Sequence, residues 1–451
     1  MSYPPYPEYG DPAPDWLGSL PRHWTFRRLR FAVSEPLMYG ANEAAVLDDR
    51  ALPRYIRITD VKADGTLDDD TFRSLDEDVA APYLLKDGDI LLARSGATVG
   101  KSFQYLANWG RAAYAGYLIR CRLDSTIMFP RFANYYFQTE CYWACIRATL
   151  IQATIENFSA EKYKDLTFPL PPKDEQQKIA AFLDWKTGQI DALISRKAEL
   201  LEKLKEKRIA VITQAVTQGL NPAAPMRDSG IPWLGQVPQH WKVKRIKFIG
   251  RVGNGSTPSR ENSLYWDEGD YPWLNSSVVN QEAVTMADQF VTAEALAECH
   301  LPIVQPPAVL IGITGEGKTR GMATTLLFEA TINQHLAYLK PDPSEAVVGF
   351  VRRVFDMAYP YLRSESDGGG STKGAITCEQ ITELSIPVPP IAEQETIATY
   401  LGAETLRIDR LVEKVESAID RLTEYRTALI TAATTGKTDV REVQIPAKKP
   451  V

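Results

Sequence analysis

A chain of 451 residues, 44% hydrophobic and 24% charged, has the composition of a folded globular protein of about three domains rather than of a disordered one. No apolar stretch nears the roughly 18 residues of a membrane span and MSYPPYPEYG has neither a basic n-region nor an apolar core, so the chain is expected in the cytoplasm with no membrane partner. Five cysteines without a C-x-x-C pair and four scattered histidines argue against a disulfide framework and a metal site, and a net charge of −6 confines any phosphate-binding surface to local patches.

In chain order, a proline-rich segment, 1–14, reads as a disordered tail, and the motifs beyond it occur twice. Asp15-Trp16-Leu17-Gly18-Ser19-Leu20-Pro21-Arg22-His23-Trp24 returns as Pro232-Trp233-Leu234-Gly235-Gln236-Val237-Pro238-Gln239-His240-Trp241, a shift of 217. Phe168-Pro169-Leu170-Pro171-Pro172 with Glu175-Gln176 returns as Ile386-Pro387-Val388-Pro389-Pro390 with Glu393-Gln394, a shift of 218. That match continues through Ile190-Asp191 and Ile408-Asp409 to 208–213 and 426–431. A period this long is a duplicated domain pair, with pseudo-two-fold symmetry as its natural arrangement, not a solenoid. The expected plan is a globular body at 15–168, a long helix at 169–219, a second body at 220–385, a second long helix at 386–436 and a C-terminal tail at 437–451. The tryptophans shared by both copies, Trp16, Trp24, Trp233 and Trp241, read as packing residues.

Each charged segment carries an apolar stripe at helical spacing, from Ile179, Phe182, Leu183 and Ile190 to Ile212 in the first and from Ile397, Leu401 and Ile408 to Ile430 in the second. Prolines 171, 172, 389 and 390 stand before each start and Gly219 and Gly436 beyond each end, the expected punctuation. At 1.5 Å per residue each helix would run about 65 Å, too long to bury its stripe inside one body. An antiparallel coiled coil between the two duplicates satisfies both stripes. The fold class expected is α+β: two globular α/β-type bodies separated by two long helices that pair antiparallel.

In the first body, alternating Arg54 to Val61 and a buried run at 89–93 precede Arg94-Ser95-Gly96-Ala97-Thr98-Val99-Gly100-Lys101. In the second, Pro272 to Val279 and a run at 308–311 precede Gly312-Ile313-Thr314-Gly315-Glu316-Gly317-Lys318-Thr319. The second loop satisfies the phosphate-loop pattern of nucleotide hydrolases, but no helix is evident after Lys318, and the first loop has no matching glycine. The reading that covers both loops is DNA phosphate binding, with Arg94, Ser95, Thr98 and Lys101 in one body and Thr314, Lys318, Thr319 and Arg320 in the other as donors. Ser256, Thr257 and Arg260, and Lys373 in the glycine-rich stretch 368–374, join them as DNA-binding candidates. Further cations cluster at Arg27, Arg28 and Arg30 and at Lys242, Lys244, Arg245 and Lys247.

In this order, twice over, the W-L-G-x-x-P-x-H-W segment, the G-S-T-P-S with Tyr265-Trp266 and Tyr271-Pro272-Trp273, the S-G-x-T-x-G-K turn at 95–101 and the P-x-P-P-x-x-E-Q hinges resemble the specificity subunits of type I restriction-modification enzymes. The resemblance implies two target recognition domains, each reading half of a split, asymmetric sequence in double-stranded DNA. It implies helices that act as spacer and dock two modification (adenine methyltransferase) subunits, with restriction or translocase subunits completing the complex. It also implies a non-catalytic chain without cofactor, the S-adenosylmethionine and ATP sites lying in the partners. No N/D-P-P-Y/F methylation motif is present. Two other readings stand beside it: a nucleotide hydrolase working through Gly312 to Thr319, and a coiled-coil scaffold.

Overall fold

The computed structural model describes residues 3–12, 18–62, 65–150, 157–315, 317–367 and 374–446. The chain divides into two compact units, Met1–Ala198 with Ser417–Val451, and Glu199–Glu416. Each unit therefore contains one globular body, one end of the first long helix, Lys173–Gln218, and the opposite end of the second, Ile391–Thr434.

Within unit 1 the stripe residues Ile179, Phe182, Leu183 and Ile190 share one core with Leu429, Ile430 and Ala433, so the two helix segments run antiparallel. Arg426 Nε donates to Asp191 Oδ1 at 2.8 Å beside that seam. Unit 2 repeats the arrangement with exchanged partners: Ile212, Ala215 and Val216 share a core with Ile397 and Leu401, and Arg208 Nε donates to Asp409 Oδ1 at 3.1 Å. Along the first helix burial is complete only toward the ends. Leu193, Leu200 and Ile209 stay 45, 43 and 59% exposed, so the first stripe is wider than the seam it covers.

Each helix start is pinned by the Glu–Gln doublet of its hinge. The Pro172 carbonyl accepts the amides of Glu175 and Gln176, and the Pro390 carbonyl those of Glu393 and Gln394. Gln176 accepts from Phe129 N at 2.7 Å and donates to Ile127 O and Pro171 O at 3.0 and 2.9 Å. Gln394 does the same with Val347 N, Glu345 O and Pro389 O at 2.8, 3.1 and 2.9 Å. A buried amide that satisfies three backbone groups at once fixes where the helix leaves its body. Glu175 accepts from Trp24 Nε1 at 3.1 Å and pairs with His23 at 2.8 Å, and Glu393 pairs with His240 at 2.9 Å, so the His-Trp segments serve the helix starts. Trp24 and Trp241 are buried and Trp233 stacks on Tyr361; Trp16 lies outside the described residues.

The bodies share a strand plan. Unit 1 has an antiparallel sheet in the order Met38–Tyr39, Leu118–Cys121, Ile90–Ala93, Ser102–Gln104, and a parallel pair Arg54–Ile56 with Ala112–Tyr114. Unit 2 has the order Gly250–Asn254, Leu336–Pro341, Ala308–Gly312, Ala323–Leu326, Ala283–Val284, the last strand joining parallel, and the counterpart of the separate parallel pair is Tyr271–Leu274 with Thr331–Ile332. A strand before each helix hinge, Thr167–Leu170 or Ser385–Val388, pairs with Thr25–Arg28 or Lys242–Arg245.

The N-terminal segment departs from the expected disordered tail. Tyr9–Pro12 pairs with Ser19–Pro21, Tyr6 is buried with its hydroxyl donating to Glu175, and Asp439 N donates to Pro4 O at 2.8 Å. Proline enrichment reads as disorder in sequence, yet it also holds a chain extended, and the interleaved tyrosines give that extended strip an apolar anchor. Burial and the Glu175 carboxylate push the Tyr6 phenol well above its ordinary range, so it remains a hydrogen-bond donor.

Candidate nucleic-acid interface

Both glycine loops are hairpin turns between antiparallel strands: 94–101 joins Ile90–Ala93 to Ser102–Gln104, and 313–322 joins Ala308–Gly312 to Ala323–Leu326. A phosphate loop needs a helix N-terminus after its lysine to aim amides at the ligand, and Lys318 is followed by a strand. Lys318 also edges a cavity of about 530 Å³ lined by Arg208, Arg352, Glu282, Asp356 and Asp409. The two arginines of this cavity are paired, Arg208 with Asp409 at 3.1 Å and Arg352 with Asp356 and Glu282 at 2.8 Å each. Burial pushes the Asp356 carboxyl up despite its arginine neighbours.

The hydrogen bonds align the two loops two residues away, at their start, and four, at their end, from the match suggested by Gly100-Lys101 and Gly317-Lys318. Ala93 N donates to Lys101 O and Gly100 N to Ala93 O; Gly312 N donates to Met322 O and Gly321 N to Gly312 O. Ala93 thus corresponds to Gly312, Gly100 to Gly321 and Lys101 to Met322, and the second loop is two residues longer. Lys101 and Lys318 are not equivalents. Gly100 and Gly321 do share a task, with φ of 86° and 89°, and their amides close the hairpins rather than facing outward. The glycines are therefore explained by the turn, not by a phosphate.

The candidate donors occupy different settings. Lys101 and Lys318 are exposed. Arg94 stacks over the Tyr39 ring at 4.7 Å and Ser95 bridges to Asn157, while Thr98 Oγ1 turns back to Ser95 O at 3.5 Å. Arg260 is exposed, lies 3.7 Å over Trp266 and 4.9 Å from Trp273, and donates to Gln289 Oε1 at 2.7 Å, which fixes its guanidinium before any ligand arrives. Ser256 O accepts from Trp273 Nε1 at 3.2 Å, Thr257 bonds Gln334, and Thr314 Oγ1 meets His335 Nδ1 at 2.7 Å. Thr319 O backs onto Gly312 inside the hairpin. Arg320 is only 4% exposed and its guanidinium is committed to Asp367, which removes it from the donors open to DNA. Lys373 lies outside the described residues.

The residues that sequence reasoning missed are Gln334, His335, Tyr39 and Tyr117. Gln334 and His335 form an exposed polar pair in the turn between the strands Thr331–Ile332 and Leu336–Pro341.

The outlying cations form a duplicated patch. Arg28 and Arg30 face Asp165, while Arg245 and Lys247 donate to Glu383 at 2.7 and 2.6 Å. Lys247 holds the Glu383 carboxyl below its ordinary range. Beside each group stands an exposed phenylalanine at the matching position, Phe31 and Phe248.

Among known proteins, the model of the type I restriction modification DNA specificity domain matches residues 65–206 and 238–418. The putative type I restriction enzyme MjaX specificity subunit of Methanocaldococcus jannaschii is 25% identical over 94% of this chain and 96% of its own length. The EcoR124I/EcoR124II specificity subunit of Escherichia coli is 21% identical over 60% of this chain and 61% of its own. Among solved structures, a chain from work on complex assembly and conformational transition of the type I R-M system superposes with a TM-score of 0.72 at 15% identity, over 92% of this chain and 98% of that one. The HsdS subunit from Thermoanaerobacter tengcongensis gives 0.54 at 17% identity, over 93% and 98%.

Proposed function

Because this chain belongs to the family of type I restriction-modification DNA specificity proteins, we propose that it reads a split, asymmetric target in double-stranded DNA, one half with each body. The observation that carries the reading is a duplicated backbone plan whose exposed loops differ in side chains, which suits two unlike half-sites. The long helices dock two modification subunits; Leu193, Leu200 and Ile209 on the first and Leu406 and Leu411 on the second leave apolar area for them to cover. Arg94, Ser95, Thr98 and Lys101, and Ser256, Thr257, Arg260, Thr314, Lys318 and Thr319, hold or line the DNA path, with Lys101, Lys318 and Arg260 as the phosphate-facing cations. The chain itself is non-catalytic and acts in the cytoplasm. S-adenosylmethionine and ATP chemistry belongs to modification and restriction partners.

The mechanism rests on the order of contacts. Exposed cations draw the duplex in without regard to sequence, and base-edge contacts from the two bodies then select the site. Co-expression with an adenine methyltransferase encoded beside it, followed by sequencing of methylated adenines, tests this. One motif with two unlike halves and a fixed gap is expected; no complex and no split motif would overturn it.

A further inference from the structure

Away from the hinges, the hydrogen-bond frames of the two units also coincide at a notch where three segments meet. In unit 2, Ser256 N donates to Ile332 O at 3.0 Å, Asn333 N to Leu274 O at 2.9 Å and Ile313 N to His335 O at 3.0 Å. In unit 1 the same three bonds run from Ala41 N to Tyr114 O at 2.9 Å, Ala115 N to Ile56 O at 3.0 Å and Arg94 N to Tyr117 O at 3.0 Å. A fourth joins Ile376 N to Ile313 O at 2.8 Å in one and Phe158 N to Arg94 O at 2.7 Å in the other. Gly255 and Gly40 precede the first segment, and a Cβ on either would lie 1.8 Å from Ile332 O or 2.2 Å from Tyr114 O, so both notches need glycine for the same close approach.

On this common backbone the side chains part company. Unit 2 presents Thr257, Thr314, Gln334 and His335, linked in a chain: Thr257 to Gln334, Gln334 Nε2 to His335 Nε2 at 3.3 Å, His335 Nδ1 to Thr314 Oγ1 at 2.7 Å. The equivalent positions in unit 1 are Asn42, Ser95, Gly116 and Tyr117. There the amide at 334 is replaced by hydrogen, and the imidazole by a phenol that is 67% exposed.

We propose that these notches are the base-reading elements, with Gln334 and His335 selecting in unit 2 and Asn42 and Tyr117 in unit 1. The inference rests on the DNA-specificity reading and goes one step further. Discriminating unlike base pairs asks for different groups on one scaffold, and these two notches share their backbone bonds while their side chains differ. The Gln334 amide carries a donor beside an acceptor, the pattern that matches adenine N6 and N7 in the major groove, and its tie to Thr257 orients it in advance. Tyr117 offers a single hydroxyl and an apolar ring, a different reading head in the same seat.

The test uses the full chain co-expressed with its modification subunit and the methylated motif read from host DNA. Gln334→Ala and His335→Ala should leave one half of the motif unchanged and relax the other, with preference at one or two base pairs falling roughly 10-fold or more. Tyr117→Ala should relax the opposite half. Gln334→Glu, which keeps the side chain's size and replaces a donor with an acceptor, should shift preference rather than abolish methylation; it also decides the matter if the alanine variants fail to assemble. Unchanged strictness in both halves, or weakening that is uniform across sequences while the complex stays intact, overturns the proposal and returns these residues to backbone holding. If the unaltered pair methylates no split motif at all, the parent reading has failed and this one falls with it.

Discussion

The hinge amides give the sharpest structural test, because the same perturbation can be made in each unit with the other as control. Gln394→Leu keeps volume and burial but removes the bonds to Val347 N, Glu345 O and Pro389 O. One N–H then loses its partner, at about 1–3 kcal/mol, and two carbonyls lose one bond each, at about 0.5–1.5 kcal/mol. The apolar area that leucine gains offsets about 1 kcal/mol, leaving a net loss of about 1–5 kcal/mol. For a unit of this size that lowers the melting temperature by about 2–20 °C. Hydrogen exchange read peptide by peptide is the assay of choice. Protection should fall at the start of Ile391–Thr434 and in Val348–Asp367, while Pro130–Tyr136 and the start of Lys173–Gln218 are unchanged. Gln176→Leu should give the mirror image. A loss below about 0.5 kcal/mol, or equal loss of protection in both units, would refute the idea that each doublet pins its own helix.

Lys318→Gln should weaken DNA binding by the complex equally on all sequences and flatten the slope of log K against log salt by about 0.9, the release expected for one phosphate contact. Arg320→Met should instead lower thermal stability and leave that slope alone, since Arg320 serves Asp367; a changed slope would return it to the interface. ATP should not raise the melting temperature of the purified chain, whereas a true site with free ATP at about 100 times its Kd would add about 2.7 kcal/mol. Acid should act through Glu35, whose carboxyl is held low chiefly by its hydrogen bond to Arg122. A lowered native pKa adds stability above the unfolded value, near 4.3, that disappears as pH falls through the native one. Glu35→Gln should therefore lower the melting temperature of unit 1 at neutral pH, with the difference closing in acid; an offset that ignores pH would contradict this.

Duplication is what made most of the fold legible. Residues that do the same work twice, Glu175 with Glu393, Gln176 with Gln394 and His23 with His240, stand out in the sequence because they recur at one spacing beside each helix start. The same comparison failed where side chains resembled one another without sharing a place. Lys101 and Lys318 suggested a common loop, but backbone bonding sets the register, and it equates Lys101 with Met322. It also passed over Gln334 and His335, because residues that differ between copies leave no internal echo. Tyr6 was hidden for another reason: its partners, Glu175 and Trp24, come from distant segments that composition cannot bring together.

A duplicated chain constrains what each surface can bind. A patch repeated with like chemistry, such as Arg28, Arg30 and Phe31 against Arg245, Lys247 and Phe248, has to meet something present twice. A notch repeated in backbone and altered in side chains has to meet two different things. DNA with two unlike half-sites supplies both conditions, since its phosphates repeat and its bases do not, and a pair of identical modification subunits supplies the first again. The exchanged ion pairs Arg426–Asp191 and Arg208–Asp409 belong to the repeated class, so charge reversal at one of them should be copied by reversal at the other. A chain evolving toward a new target is thus free to rebuild the notches while its hinges, seams and basic patches hold still.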